Sequence, residues 1–304
     1  MAGFGREGDK KGAYFPCQQK NRAFISTIHS QSRKMKMFRT ANRLLLILSI
    51  LAVLALTACR YPTFYGDVNT VHGSGSVIEE ARNVSRFSGV SLATTGLLSI
   101  EVGDTESLRI IADDNLVNFI ETEVRGRELT IRSEGSVNLR PTRPIRYFLT
   151  VKELNEISIY SSGDIQAPDL KAGDFSINVS SSGDLDIGDL EADTFHVSIS
   201  SSGDVRVGIL KADTLDVDIN SSGDLDIAGG AVRYQSIKIN SSGDYRAPDL
   251  ASDEAEAHIN SSGSATIRVR NRLKASLNSS GNLRYHGNPA VDVNKNSSGD
   301  ITKL

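Results

Sequence analysis

Phe175 to Thr194 reads FSINVSSSGDLDIGDLEADT. Phe175, Ile177 and Val179 alternate with polar residues, Leu185 and Ile187 alternate again after the Ser-Ser-Gly-Asp break, and Leu190 and Ala192 follow. Alternation with period two marks half-buried strands, and Gly183, Gly188 and Asp193 mark bends. These twenty residues predict two short strands and a shorter third segment, which is one turn of a β-solenoid.

The stretch recurs. The Ser-Ser-Gly glycine returns at Gly163, Gly183, Gly203, Gly223, Gly243, Gly263, Gly281 and Gly299, five times at a spacing of 20 and then twice at 18. A fixed period in this range indicates stacked repeats. Equivalent positions agree from turn to turn: Ile159, Val179, Ile199, Ile219, Ile239, Ile259 and Leu277 form one column. Ile165, Leu185, Val205, Leu225, Tyr245, Ala265, Leu283 and Ile301 form another, and Leu170, Leu190, Leu210 and Leu250 a third, beside Ala172, Ala192 and Ala212. Such columns are interior ladders, with turns about 4.8 Å apart. The first ends at Lys295, which suggests a polar end cap against edge-to-edge aggregation. Outward columns alternate in charge, as Asp186, Arg206, Asp226, Arg246 and as Lys171, Glu191, Lys211. Each exposed pair contributes at most about 1 kcal/mol, but together they disfavour a slip by one turn.

The fold class expected is therefore all-β, a single β-solenoid head domain over 84–304. Residues 155–304 form regular turns of about 20 residues. Residues 84–154 form irregular N-terminal turns, with strands at Val84 to Ala93, Leu97 to Val102, Leu108 to Ala112, Phe119 to Val124 and Glu128 to Arg132. No helical period stands out from 62 onward. Residues 59–83, with Gly66, Gly73 and Gly75, suit a flexible tether.

Upstream lies an address. A basic stretch with Lys36, Arg39 and Arg43 precedes an apolar run from Leu44 to Ala55 and then Leu56-Thr57-Ala58-Cys59. The run is short for a membrane span and has the layout of a secretory signal, assigned to 35–58. Leu-Thr-Ala-Cys resembles the bacterial lipobox, in which the Cys59 thiol would be acylated and become the mature N-terminus. An uncleaved anchor helix and an ordinary signal with a chance cysteine are the alternatives. Residues 1–34 precede Met35 and Met37 without periodicity and read as a start placed too early or a disordered tail. With Cys17 upstream and Cys59 acylated, no disulfide forms in the mature chain.

Ten of the 34 basic residues and two of the 37 acidic ones precede Cys59, leaving 24 against 35, a net charge of -11. That balance argues against nucleic acid or anionic lipid as the main partner of the exported part.

The stretch RNVSRFSGVSLATTGLLSIEVGDTESLRIIADDNLVNFIETEVRGRELTI, followed by the Ser-Ser-Gly-Asp turns, resembles the putative auto-transporter adhesin head domain, also called the head GIN domain, common in bacterial lipoproteins. The resemblance runs from about Val84 to the C-terminus. It implies a right-handed parallel β-helix at the cell envelope and brings no catalytic residues with it. The chain departs from an autotransporter in having no membrane barrel after the solenoid.

Asp164, Asp184, Asp204, Asp224 and Asp244 form an acidic column continued by Ser264, Asn282 and Asp300. Stacked carboxylates repel, and Ca²⁺, which takes oxygen ligands, would relieve the repulsion. Asp, Asn and Ser also share the ability to accept a backbone N–H in a turn, and this bland reading is the stronger one. The serine columns through Ser161 and Ser162, and the run Asn220, Asn240, Asn260, Asn278, Asn296, offer a hydroxyl and amide ladder to a polysaccharide, or bond along the stack. Catalysis would need a constellation interrupting the repeat. His72, His196, His258 and His286 are scattered, and no Ser-His-Asp or metal-ligand spacing is evident.

The sequence thus predicts a non-catalytic envelope lipoprotein without cofactor, held to the membrane through Cys59. It faces the outside of the cytoplasmic membrane or the outer membrane and presents a binding or scaffolding head to an envelope polysaccharide or a surface protein. A polysaccharide-active β-helix enzyme and a purely structural spacer are the alternatives. Cys59→Ala is expected to release the chain from the membrane fraction; unchanged fractionation would contradict the anchor.

Overall fold

The alternation within each repeat becomes one rung of a three-faced coil. A computed structural model of the chain describes residues 69–135, 137–296 and 298–304. Cys59, the signal at 35–58, the segment 1–34 and residues 59–68 of the expected tether lie outside the described residues.

The N-terminal strands are β1 (Thr70–His72), β2 (Val77–Arg82), β3 (Gly89–Ala93), β4 (Leu97–Val102) and β5 (Ser107–Asp113). After the single-turn helix α1 (Asp114–Val117) come β6 (Ile120–Arg125), β7 (Glu128–Ser133), β8 (Asn138–Arg140) and β9 (Arg146–Val151). The coil proper starts with β10 (Glu156–Ile159), β11 (Asp164–Ala167) and β12 (Leu170–Lys171), one strand for each face. On the first face, 156–159 stacks in parallel on 174–179, then 194–199, 214–219, 234–239, 254–259, 272–277 and 290–295. The second face runs from 164–167 to Ile301–Lys303. The third runs only from 170–171 to about 269.

The register is the one that the columns require. Ile159 lies over Val179, Val179 over Ile199 and so on to Leu277, and every member of that column is fully buried. The second column is equally closed from Ile165 to Leu283. Each buried aliphatic side chain contributes about 1.5–3 kcal/mol relative to exposure. A slip by one residue would turn the whole ladder outward.

Three residues break the apolar columns together. The hydroxyl of Tyr245, fully buried, donates to Gln235 Oε1 at 3.0 Å; Gln235 Nε2 donates to Ser252 Oγ at 2.8 Å; Ser252 Oγ donates to the Arg268 carbonyl at 3.0 Å. Burial pushes the Tyr245 hydroxyl pKa up, so it stays a donor. Because each buried polar atom has a partner in the chain, the deviation is tolerated in the core.

The N-terminal region is part rung and part cap. Strands β3 and β4 stack in parallel below β10 and β11. Beyond them β7 continues the first face and β9 the second. The ends are then closed by antiparallel pairs, β6 on β7, and β5 on β9 with β2 outermost. The expected strand from Val84 begins only at Gly89.

The expected tether at 59–83 is corrected for its described part. Residues 70–72 pair with β8 and 77–82 with β5, so both belong to the cap. Between them the chain is clasped to Asp113, only 1% exposed, whose carboxylate accepts the Gly75 N–H at 2.8 Å and the Thr142 N–H and hydroxyl at 2.9 and 2.6 Å. The Thr142 hydroxyl, foremost, holds this carboxyl below its usual range. Two of the three glycines that suggested flexibility, Gly73 and Gly75, are positional. A Cβ at Gly73 would run into the Asp113 carboxylate, and Gly75 has φ +89.

The far end differs from the polar cap expected there. Lys295 pairs with Asp300 at 3.4 Å, yet all of Ala290–Lys295 is exposed, with Val291 and Val293 in the inward register 41% and 44% exposed.

The Ser-Ser-Gly corner sets the rung spacing. A Cβ on Gly223 would lie 2.8 Å from Ile199 Cγ2 and from the Ser201 carbonyl oxygen, and nearer still to that of Gly203. Gly223→Ala is therefore expected to destabilise the fold by about 1–3 kcal/mol, the range for forced overpacking. At Gly173 the nearest atom would be 3.6 Å away, an ordinary contact, so Gly173→Ala should be near neutral. Urea midpoints for the two variants test this, and equal losses would contradict it.

Candidate functional site

Two surfaces come from the sequence pattern, the acidic corner column and the amide ladder, and a third comes only from the folded chain.

The five aspartates occupy one corner, one per rung. Asp164 Oδ1 accepts the N–H of Asp184 at 3.0 Å, Asp184 that of Asp204 at 2.9 Å, and Asp204 that of Asp224 at 3.0 Å. Asp224 accepts the N–H of Asp244 at 2.8 Å and Asp244 that of Ser264 at 2.9 Å. The acceptor role is as the residue types suggest, but it is directed to the next rung and not within one turn. The second oxygens of Asp204, Asp224 and Asp244 face arginines. Arg246 donates to Oδ2 of both Asp224 and Asp244 at 2.8 Å, and Asp224 foremost pushes its guanidinium pKa up. Arg206 reaches Asp186 and Asp204, each at 3.4 Å. Stacked carboxylates are thus separated by backbone donors, and those of Asp204, Asp224 and Asp244 are also paired with arginines. Among the described residues no three histidines, cysteines or carboxylates converge as a metal site would require.

The amide ladder is committed inward as well. Asn240, Asn260 and Asn278 each donate through Nδ2 to the Oδ1 of the asparagine one rung below, at 2.8, 2.7 and 2.7 Å. At the serine corner, Ser201 donates to the Ser181 carbonyl and Ser161 to that of Thr94. Bonding along the stack thus engages the amide ladder and these serines, while the column from Ser162 to Ser262 stays exposed.

Stacking makes one arrangement that linear spacing hid. Ser176, His196 and Asp216 lie at the same outward position on three successive rungs. No hydrogen bond joins their side chains, and the strands that carry them are paired on both sides, leaving no backbone N–H to stabilise an oxyanion. The geometry lacks both the nucleophile–base contact and the oxyanion donors that acyl transfer requires.

The concave surface is on the third face. Its ladder begins only at Leu170, while Val102, Lys152 and Glu153 project from the cap beside it, leaving a groove of about 560 Å³. A second depression of about 710 Å³ adjoins it, sharing Lys171 and Glu191. Val102 and Ile209 are 55% and 41% exposed, which makes them apolar contact points. Lys171 and Glu191 form an ion pair at 2.7 Å; through that hydrogen bond the lysine pKa is raised and the glutamate pKa lowered. Asp169 and Asp189 spend Oδ1 on the N–H groups of Asp189 and Ile209. Lys152 and Lys211 form no ion pair among the described residues. The arrangement can hold a partner with exposed aliphatic groups and carboxylates; it holds no acid–base pair aimed at a common point. Sequence reading missed it because it depends on where the third column starts relative to the cap.

Comparison with known proteins agrees with this architecture. A family described as putative auto-transporter adhesin, head GIN domain, matches residues 86–208 and 187–289. No curated protein matches in sequence. Among solved structures, one called a putative adhesin from Parabacteroides distasonis is similar with a TM-score of 0.70 and 23% identity, over 78% of this chain and 100% of its own. Another from the same organism, called a putative lipid binding protein, gives 0.71 and 24% over the same shares. A putative adhesin from Parabacteroides merdae gives 0.68 and 23%, over 78% and 99%. At these identities the likeness is one of fold.

The corner column yields a prediction. Asp204→Ala removes the acceptor for the Asp224 N–H and should lower stability by about 1 kcal/mol, while Asp204→Asn keeps an acceptor and should lose little. Millimolar Ca²⁺ should leave the denaturation midpoint of the unaltered protein unchanged. A calcium-dependent rise that Asp204→Asn abolishes would establish a metal site instead.

Proposed function

The chain belongs to the family of putative auto-transporter adhesins with the head GIN domain, and from that premise we propose that it is a non-catalytic lipoprotein of the bacterial cell envelope. Acyl chains on Cys59 hold it to the membrane, and the solenoid presents an adhesin-like binding head. More than one acyl chain, each buried methylene adding about 0.8 kcal/mol, makes such attachment stable. The contact surface is the third-face groove between the cap and the strands from Leu170 onward.

The observation that carries this reading is the contrast between faces. The Asp and Asn ladders bond from rung to rung along the stack. The groove instead exposes Val102 and Ile209 beside Lys152 and Lys211. Exposed aliphatic groups rimmed by charge are typical of protein contact surfaces. The lining contains no aromatic ring, so a segment of a surface protein suits it better than a stacked sugar. The column Ser176, His196, Asp216 gives an enzyme reading little support, since its members are not hydrogen-bonded.

The test incubates the full chain with intact bacterial cells, before and after surface proteolysis, and with a panel of envelope and extracellular polysaccharides. Both retention and new reducing ends are scored. Saturable retention on untreated cells, lost after proteolysis and weakened about tenfold by Ile209→Asp, or about 1.4 kcal/mol, is expected. New reducing ends would replace this reading with a polysaccharide-active enzyme, and absence of saturable retention would replace it with a spacer.

A further inference from the structure

The two ends of the solenoid are finished differently. At the N-terminal end both faces pass into antiparallel strands, and the outermost of these, β2 and β6, carry Glu79, Glu80, Glu121 and Glu123. Charged, short outer strands disfavour pairing with another chain. At the C-terminal end the strand Ala290–Lys295 pairs on one side only, with 272–277, and its other edge is bare. Its one cation, Lys295, is already engaged by Asp300. Val291, Val293 and Lys295 stand in register with Leu273, Ala275 and Leu277, so the two valines are interior residues without a rung above them.

What would cover this edge must supply strand hydrogen bonds and an apolar interior together, and the strand itself supplies both. In an antiparallel pairing of 290–295 with its own copy, inward side chains face inward side chains only when the numbers of opposed residues sum to an even value. A register centred on Asp292 would oppose two aspartates. One centred on Val293 opposes Val293 to its copy, Val291 to Lys295, and Asp292 to Asn294, with no like charges facing. It keeps both interiors on the same side, so the two cores become continuous. The same strand edge serves both copies, so the contact is isologous, closes as a two-fold pair and does not propagate into a fibre.

We propose that the chain forms a homotypic contact through this edge, the Ala290–Lys295 strand of one copy pairing antiparallel with that of a second about an axis at Val293. The pair is a rod. From the 128–133 strand to the 290–295 strand, the first face takes nine steps of about 4.8 Å, roughly 43 Å per copy. The described chain enters the fold at the capped end, where the Asn138 N–H bonds the Asn69 carbonyl. The two entry points therefore lie at opposite ends of the rod. If the anchoring through Cys59 proposed above holds, that is the geometry of a contact between two facing membranes and not of a pair within one.

The test uses the full chain with Cys17→Ser and Cys59→Ser, which removes the lipid, so that its failure is separate from failure of the anchor. Val293→Cys in this background should give a covalent dimer under mild oxidation. Lys274→Cys, one rung inside, should give none. Without the new cysteine, sedimentation equilibrium should give twice the chain mass at high concentration, and Val293→Lys should return it to that of one chain. A monomer at every soluble concentration, or equal cross-linking from both cysteines, would overturn the proposal.

Discussion

The backbones of successive Ser-Ser-Gly corners stack with no room for a side chain between them, and the rest of the fold is arranged around that contact. A side chain at Gly203, Gly223, Gly243 or Gly263 would collide with the carbonyl of the glycine one turn below. The corner amides use that proximity: the N–H groups of Gly223 and Gly243 each donate at 2.9 Å to the carbonyls of Ser201 and Ser221. With the corners at strand spacing, the flanking strands can hydrogen-bond in parallel along their length. Every column is then forced into the same register.

That constraint explains why so many polar residues at the corners bond from one rung to the next. Identical groups repeated at one spacing can bond to one another, and in the Asp and Asn columns and at Ser201 they do. The charges over them are adjustments of the surface. Arg246 is nearly half exposed, so its bridges contribute a few tenths of a kcal/mol each and serve register more than stability. The contacts proposed here lie where periodicity stops, in the groove where the third column begins and at the strand edge where the first column ends.

The periodic part of this structure was legible from residues alone. A twenty-residue period with columns such as Ile159 to Leu277 gives the fold, the register and the burial, because the two main columns are read seven and eight times. Legibility failed where a feature occurs once. Residues 77–82 form an outer strand with both sides largely exposed, so no alternation announces it, and Gly73 and Gly75 look like tether until Asp113 is placed beside them. Gln235 and Ser252 look like errors in apolar columns until Tyr245 connects them. The groove belongs to no motif, since Val102, Lys152 and Lys211 are distant in sequence. His196 shows the converse, a residue that looked isolated along the chain and lies between Ser176 and Asp216 in the stack.

If the corner stack governs the fold, whole turns are interchangeable units and fractions of a turn are not. Deleting 184–203 joins Gly183 to Asp204 and carries every column forward by one rung. Deleting only 184–193 removes the second and third faces of one rung and joins the Gly183 corner to Thr194 in the middle of a strand. Far-UV circular dichroism with thermal unfolding of the two shortened chains is the most direct measurement. The twenty-residue deletion should keep the β spectrum and a single cooperative transition, and the ten-residue deletion should lose both. Equal behaviour of the two, or collapse of the first, would contradict the account.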